Sequence, residues 1–352
     1  MFPCPMSFRV DAVRLLSAQG LTMADHLPVT LHDIYLARRR IAGQVARTPL
    51  IRSHALSARF EAEIYLKLET LQPTGAFKLR GATNKVAALT PEQLEHGVTT
   101  ASTGNHGRAV AYAASRLGAR AIICMSALVP SNKVEAIEAL GAETRIVGRS
   151  QDDAFVEARR LVAQEGMTLI EPFDDPLIVA GQGTIGLELL EDLPELDHVL
   201  IGLSGGGLLG GIGRAVKAIN PAVRVTGVSM QEGAAMRISL EAGQPVEVEE
   251  VATFADSLGG GIGLDNRCTF ALVREVMDNS YAVSEAAIAR AMVHFFAYEK
   301  MVVEGAAAVG LAALEEHRLD IRSQTVALIV SGNGVSSETF MDAWHMGHAA
   351  PH

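Results

Sequence analysis

The segment Val199–Gly213 (VLIGLSGGGLLGGIG) restricts the possible folds more than any other part of the chain. The apolar run Val199–Leu203 predicts a buried strand. Ser204–Gly207 then predict a turn almost free of side chains, and helical spacing begins at Leu208. A strand, a glycine turn and a helix N-terminus together leave main-chain N–H groups pointing outward. We therefore predict a site for a phosphate group.

The same loop fits the G-x-G-x-x-G pattern of dinucleotide-binding folds through Gly205, Gly207 and Gly210. That interpretation predicts an acidic residue at the end of the next strand, where it would hold a ribose hydroxyl. The next predicted strand, Arg224–Val228, is followed by Ser229, so the carboxylate is missing. We favour the phosphate site. A nucleotide-binding oxidoreductase or binding protein stays an alternative, as does a turn that only packs a helix on a sheet.

Composition excludes several classes of protein. The net charge of −10 argues against a nucleic-acid surface, and no apolar run approaches the ~18 residues that a membrane span needs. The cysteines, Cys4, Cys124 and Cys268, are too widely separated for a disulfide framework or a metal cluster. We expect a cytoplasmic protein with no membrane or nucleic-acid partner.

Strands and helices alternate in the middle of the chain, which is typical of a parallel α/β sheet. The predicted elements there are a strand at 98–101, a helix at 105–117, a strand at 120–125, a helix at 133–140, a strand at 143–147, a helix at 151–165 and a strand at 168–170. We predict a small domain, residues 97–174, inserted into a large domain formed by residues 27–96 and 175–345. Residues 1–26 are expected to form a disordered extension, and no C-terminal regulatory domain is expected.

Polar loops follow predicted strands or begin predicted helices, where open α/β sheets bind ligands. They are Gly75–Lys78, which opens a helix continuing to about Leu89, then Ser102–Gly107, the loop from Ser204, and Ser331–Asn333. Each is weak evidence alone, because most lysines are solvated and most such serines are turn residues. Together they supply a lysine for a Schiff base, a phosphate-binding site, a carboxylate-binding site and a polar group to face a ring nitrogen. Pyridoxal 5'-phosphate (PLP) requires this set.

The motifs in these loops resemble those of the fold-type II PLP enzymes, and within them the threonine/serine dehydratase–serine racemase family. Gln72–Gly81 (QPTGAFKLRG) is similar to the Schiff-base segment, Thr103–Ala109 (TGNHGRA) to the substrate-carboxylate loop, and Ser204–Leu208 (SGGGL) to the phosphate loop. The resemblance extends over about residues 30 to 335. It implies a tryptophan synthase β-like α/β fold with two parallel-sheet domains.

The resemblance also implies a role for each matching residue. Lys78 would form the Schiff base and carry the proton at the substrate Cα, Asn105 would bind the 3' oxygen, and Ser331 would face the pyridine nitrogen. Phe77 would pack near the ring, and Glu304 would lie near the cofactor. The predicted cofactor-binding residues are Phe77, Lys78, Asn105, Ser204, Gly205, Gly206, Gly207, Leu208, Glu304 and Ser331. The predicted substrate-carboxylate residues are Ser102, Thr103, Asn105 and His106, and the predicted catalytic residues are Lys78 and Thr103.

The chain departs from the family pattern at several positions. Thr103 stands where racemases carry a serine base, which weakens a racemase interpretation. Ser229 and Ala235 stand where those members bind a divalent cation, so we expect no metal site. The segment Asp256–Gly263 resembles instead the branch with hydroxyectoine-utilisation and β-hydroxyaspartate dehydratases, as does Val303–Ala306.

We therefore predict a PLP-dependent dehydratase, or ammonia-lyase, that converts a β-hydroxy-α-amino acid such as threonine or serine into a 2-oxo acid and ammonia. A hydroxyectoine-derived or 3-hydroxyaspartate-type amino acid is an alternative substrate. Amino-acid racemisation and β-replacement are alternative reactions. The family implies a homodimer or a larger homo-oligomer.

Overall fold

The computed structural model describes residues 27–102, 104–129 and 131–349. The predicted extension at residues 1–26 lies outside this part of the chain. Within it, the strands form two separate sheets, one of six strands and one of four. The predicted α/β class with parallel sheets is confirmed.

The larger sheet has the strand order β1-β2-β10-β7-β8-β9, and every neighbouring pair is parallel except β1 with β2. Its strands are β1 (Leu50–Arg52), β2 (Glu63–Leu68), β7 (His198–Gly202), β8 (Arg224–Met230), β9 (Asn279–Val283) and β10 (Thr325–Val330). Apart from their first residues, His198 and Thr325, the central strands β7 and β10 are continuous apolar runs, as expected for strands with helices over both faces of the sheet.

The smaller sheet has the order β5-β4-β3-β6 and is parallel throughout. Its strands are β3 (Val98–Ala101), β4 (Ala121–Met125), β5 (Glu143–Ile146) and β6 (Thr168–Leu169). All of them fall inside the segment predicted as an inserted small domain. This partition supports the proposed domain division, which stays a prediction.

Helices cover both sheets. Along the described chain they are α1 (Leu31–Ile41), α2 (His54–Phe60), α3 (Lys78–Val86), α4 (Pro91–His96), α5 (Asn105–Arg116), α6 (Ser131–Glu138), α7 (Gln151–Glu165), α8 (Pro176–Asp192), α9 (Gly207–Ile219), α10 (Ala235–Ala242), α11 (Thr269–Val276), α12 (Glu285–His294), α13 (Gly305–Glu316) and α14 (Ser337–Ala349). No helix in this part of the chain combines the length and apolarity that a membrane crossing requires.

Helix α3 connects the two sheets. Its residues Leu79 and Val86 pack in the same apolar cluster as Val98 of the smaller sheet. On its other side it crosses α8 so closely that a Cβ at Gly181 would lie 2.6 Å from the Cα of Gly81. Glycine at the crossing therefore fixes where α3 begins relative to both layers.

The structure corrects several predicted element boundaries. The helix predicted from Gly75 begins only at Lys78, because Gly75 has a φ of +74° and Ala76 forms an isolated bridge with Gly332. Strand β8 ends at Met230 rather than Val228. The sequence after Ser284 predicts one helix to about Lys300, but the structure ends it at His294 and continues with a π-helical turn, Phe295–Glu299.

Candidate active site

Lys78 is the first residue of α3 and follows a turn that is bound to the loop after β10. The Phe77 N–H donates to the carbonyl oxygen of Ser331 at 3.0 Å, and the Asn333 N–H donates to the carbonyl oxygen of Gly75 at 3.0 Å. Strands β2 and β10 are parallel neighbours, so their carboxyl ends meet at one edge of the sheet. The structure thus places Lys78, Phe77 and Ser331 together at this edge of the sheet.

The Lys78 amine lies in a site that favours its neutral form. Nζ donates to the carbonyl oxygen of Pro172 at 2.6 Å, and the Phe77 ring lies 5.4 Å from Nζ. Burial lowers the pKa of Lys78 to about 8, against a smaller upward effect of the Glu304 carboxylate. A lysine whose pKa lies near the working pH can exchange protons with a substrate and attack an aldehyde.

Asn105 and Glu304 meet at the junction of the two sheets. The Asn105 Nδ2 donates to Oε1 and Oε2 of Glu304 at 3.1 and 2.9 Å, and the Gly334 N–H donates to Oε2 at 2.9 Å. Burial raises the pKa of Glu304, the hydrogen bond from Asn105 opposes that rise, and the neighbouring Asp256 carboxylate adds to it. The pair holds the first turn of α5 against the loop after β10.

The glycine loop has the form that a phosphate site needs. Gly206 has a φ of +86°, α9 begins at Gly207, and no side chain of the described residues caps that helix. A Cβ on Gly205 would lie 2.4 Å from the Phe173 ring, and a Cβ on Gly206 would lie 2.8 Å from Met236 Cε. Glycine is therefore required by packing as well as by backbone conformation. The uncapped N-terminus of α9 leaves main-chain donors for an anion, with Ser204 and Leu208 at either side of the glycines.

The predicted substrate-carboxylate residues follow β3: Ser102 comes directly after the strand, and Asn105 and His106 are the first residues of α5. The Ser102 Oγ accepts a hydrogen bond from the Gly104 N–H at 3.4 Å. Thr103, predicted to be catalytic, lies outside the described residues. His106 Nε2 lies 2.9 Å from the Ile170 carbonyl oxygen, which can only accept, so Nε2 carries the proton.

The His106 side chain therefore has a structural role, because its ring is hydrogen-bonded to the main chain at Ile170. Burial lowers its pKa to about 3, so the ring is neutral at physiological pH. Its donating nitrogen is already occupied by Ile170, so only the main-chain N–H of His106 is left to hold a carboxylate. Binding of the substrate carboxylate by the main-chain N–H of His106 stays a prediction.

A cavity of about 330 Å³ opens beside the predicted substrate-carboxylate residues, at the junction of the two sheets. Gly104, Asn105, Asp256, Asn333 and Gly334 are among the residues that line it. The cavity thus adjoins the Asn105–Glu304 pair and has room for a small amino acid.

Sequence reasoning missed the segment Glu171–Asp175, which leads from β6 to α8. Pro172 accepts the Lys78 hydrogen bond, Phe173 packs against the glycine loop, and Asp174 binds main-chain N–H groups before α11. The only available signal was an acidic pair before Pro176. This pattern predicts a helix N-cap, and Asp175 does cap α8.

Sequence reasoning also missed a buried group of charges behind Lys78. Arg80 donates to Glu69 at 2.8 Å and to Glu188 at 2.6 Å, and Lys67 Nζ donates to Glu188 at 2.6 Å. The side chains of Arg80, Lys67 and Glu69 are fully buried. Two cations face two anions, so the charges balance while they tie α3 to β2 and α8.

The arrangement fits PLP. The Lys78 amine matches the aldehyde, the uncapped glycine loop matches the phosphate, and the amide of Asn105 is placed at the junction between them. No group of three or more His, Cys, Asp or Glu suited to a metal ion occurs among the residues the structure describes. Ser229 and Ala235, at the family's metal positions, are both buried.

Comparisons with known proteins agree with this fit. A family model described as pyridoxal-phosphate dependent enzyme matches residues 41–332. A protein of Sinorhizobium fredii, provisionally named a threonine dehydratase, is 51% identical over 87% of this chain and 92% of its own length. The L-threonine ammonia-lyase of Thermotoga maritima is 41% identical over 87% of this chain and 76% of its own length.

The fold comparison points the same way. The structure of maize serine racemase has a TM-score of 0.84 and 34% sequence identity, and the match covers 91% of this chain and 99% of that one. The nucleotide-binding alternative finds no support in these relatives. The chain belongs to the family of pyridoxal-phosphate-dependent enzymes and has their fold-type II architecture.

Proposed function

We propose that this protein is a PLP-dependent ammonia-lyase, or dehydratase, that eliminates water from a β-hydroxy-α-amino acid of the threonine or serine type. The observation that carries the proposal is the Lys78 amine. It has a pKa of about 8 and lies at the sheet edge beside Ser331. The names of the Sinorhizobium and Thermotoga relatives support the same reaction.

When bound, PLP withdraws electrons from the Cα of an attached amino acid and so makes its proton removable. The Lys78 amine is the base at this edge of the sheet. Its lowered pKa gives it a larger neutral fraction near pH 7 than an ordinary lysine has, and the neutral form predominates only above about pH 8. Lys78 Nζ takes the Cα proton. The Cβ–O bond breaks as the Lys78 ammonium passes that same proton to the departing hydroxyl, which leaves as water.

Asn105 and Glu304 orient the site rather than carry the proton. The Asn105 amide is held by two bonds to the Glu304 carboxylate, so its position is fixed before a ligand binds. Ser331 places a neutral hydroxyl residue where a carboxylate would hold a proton on a ring nitrogen. This choice limits the stability of a carbanion and favours reactions that expel a leaving group at Cβ.

The overall reaction balances without an oxidant or a reductant. Elimination removes one water from Cα and Cβ, and hydrolysis of the released enamine returns one water and frees ammonia. Threonine would give 2-oxobutanoate, and serine would give pyruvate.

The test is to supply purified protein with PLP and a panel of hydroxyamino acids, and to measure 2-oxo acid and ammonia together. Equal amounts of both from threonine or serine are expected. Inversion of the amino acid without 2-oxo acid would replace the proposal with racemisation. No reaction by PLP-loaded protein with any hydroxyamino acid would reject it.

The same panel can test the choice of substrate, and separate measurements can test the oligomeric state, the location and the residue roles. A hydroxyectoine-derived or 3-hydroxyaspartate-type substrate would show as faster turnover of that acid than of threonine. The homodimer and the cytoplasmic location remain proposals drawn from the family resemblance. The roles of the individual site residues, Thr103 included, are proposals of the same kind.

A further inference from the structure

The segment Glu171–Asp175 contacts a different part of the site at nearly every residue. Its central residue, Phe173, lies against the glycine loop, where a Cβ on Gly205 or Gly207 would lie 2.4 or 3.1 Å from Phe173 atoms. The next residue, Asp174, binds the start of α11 with its carboxylate. The segment thus contacts the glycine loop directly through Phe173 and indirectly through Asp174 and α11.

Asp174 binds the start of α11 through several hydrogen bonds. Oδ2 accepts from the Arg267 N–H at 2.7 Å, and Oδ1 accepts from the N–H groups of Cys268 and Thr269, each at 2.9 Å. The Thr269 hydroxyl also donates to Oδ1, at 3.2 Å. A carboxylate at a helix N-terminus satisfies the unpaired donors and complements the helix dipole.

The start of α11 packs directly against the glycine loop. A Cβ on Gly206 would lie 3.1 Å from Thr269 Cβ and 2.8 Å from Val273 Cγ2. One turn further, Leu272 Cδ2 would lie 3.0 Å from a Cβ on Gly210 in α9. Asp174 therefore holds Thr269 in place, and Thr269 packs directly against Gly206, the residue of the loop with a left-handed backbone conformation.

We infer that Asp174 is a positioning residue for the glycine loop, acting through Thr269 on Gly206, and that it sets the affinity of the protein for a ligand's phosphate group. The inference rests on the proposed role of this loop in holding the PLP phosphate. Asp174 has no need to touch the ligand. Its carboxylate keeps the main-chain donors of Gly206 and Gly207 in place before the phosphate arrives.

The inference competes with two simpler roles of Asp174. As a plain helix cap it would stabilise the fold and leave ligand preference unchanged. As a nearby negative charge it would repel the phosphate, and its removal would tighten binding. The three roles predict different results for ligands with and without a phosphate.

The test compares the dissociation constants of PLP and of pyridoxal, which lacks the phosphate, for cofactor-free wild type, Asp174→Asn and Asp174→Ala. Asp153→Asn is the matched control, because Asp153 also accepts main-chain N–H bonds, from Arg149 and Ser150, at the start of α7. We expect Asp174→Ala to weaken PLP by about tenfold, the size of one lost helix cap, and to leave pyridoxal unchanged. Asp174→Asn keeps one oxygen acceptor and should fall between Asp174→Ala and wild type.

Equal weakening of PLP and pyridoxal would reduce Asp174 to a stabilising cap, and tighter PLP binding would make it a source of repulsion. Either result overturns the inference, as does unchanged PLP binding by Asp174→Ala. If Asp174→Ala does not fold, the PLP-to-pyridoxal ratio of Asp174→Asn decides in the same way. Failure of wild type itself to prefer PLP over pyridoxal would instead reject the glycine loop as the phosphate site.

Discussion

The side-chain amide of Asn105 donates to both carboxylate oxygens of Glu304, at 3.1 and 2.9 Å, and so joins helices that lie over different sheets. Asn105 begins α5 on the smaller sheet, and Glu304 directly precedes α13 on the larger. The Glu304 carboxylate also acts on Lys78, because it raises the pKa of the lysine against the lowering caused by burial. One carboxylate thus affects both the geometry and the protonation of the site.

Replacing Glu304 by glutamine should lower the pKa of Lys78 below its value of about 8, since the opposing negative charge is lost. An amine attacks an aldehyde only when neutral, and its neutral fraction grows as the pH rises through the pKa. The pH at which cofactor-free protein captures PLP at half its maximal rate should therefore move to lower pH in Glu304→Gln.

Stopped-flow capture rates over a series of pH values measure this midpoint. Glu315→Gln is the control, because Glu315 also has a pKa raised by burial but pairs with Arg59 outside the site. A midpoint that stays in place or moves to higher pH in Glu304→Gln would contradict the assigned effect.

Replacing Lys78 by alanine should abolish covalent retention of PLP and lower kcat by at least about 10³-fold, because the acceptor of the Cα proton is removed. Borohydride treatment followed by peptide mass spectrometry checks the attachment, and it should label the peptide with Lys78 in wild type only. Lys85→Ala is the matched control on the same helix, since Lys85 pairs with Asp175 rather than facing the site. Labelling of Lys78→Ala on another lysine would move the reactive amine elsewhere.

The central elements of the fold could be predicted because their signals are local. The apolar run of β7 and the glycine turn before α9 lie in continuous sequence, and the structure places each within about one residue of its prediction. The start of α3 could not be placed, because the Gly75 turn is set by its bonds to the distant loop after β10.

Site residues, too, could be predicted only where their signals are local in sequence. Lys78 and the glycine loop carry motifs, and a search along the chain finds them. The carbonyl of Pro172 lies 94 residues from Lys78 in sequence, and Glu304 lies 199 residues from Asn105. Such contacts depend on how the two sheets meet, and no local pattern around Pro172 or Asp174 indicates a partner.

Metal removal should leave the enzyme intact. Ser229 is buried within β8, with its hydroxyl 3.4 Å from Met230 Sδ, and Ala235 is buried at the start of α10. Neither side chain supplies the carboxylate that Mg²⁺ or Ca²⁺ prefers. We expect excess EDTA to change neither the unfolding temperature nor kcat. A loss of either that Mg²⁺ restores would reveal a cation site built from other residues.

Replacing Arg80 by glutamine should strongly destabilise the protein, because it leaves the buried carboxylates of Glu69 and Glu188 with only Lys67 opposite them. Removing one partner of a buried ion pair costs about 3–5 kcal/mol. Arg80→Lys keeps the charge but loses the forked geometry that reaches both carboxylates, so it should fall between wild type and Arg80→Gln. Urea unfolding of the cofactor-free proteins measures the free-energy differences.

Arg120→Gln is the comparison for this series, because the Arg120–Glu143 pair is largely exposed and should contribute less than about 1 kcal/mol. If Arg80→Gln proves no less stable than Arg120→Gln, the buried charges are not what holds α3 in place. The glycine crossing of α3 with α8 would then be the main constraint on the position of Lys78. In that case Gly81→Ala should displace Lys78 and slow PLP capture where Arg80→Gln does not.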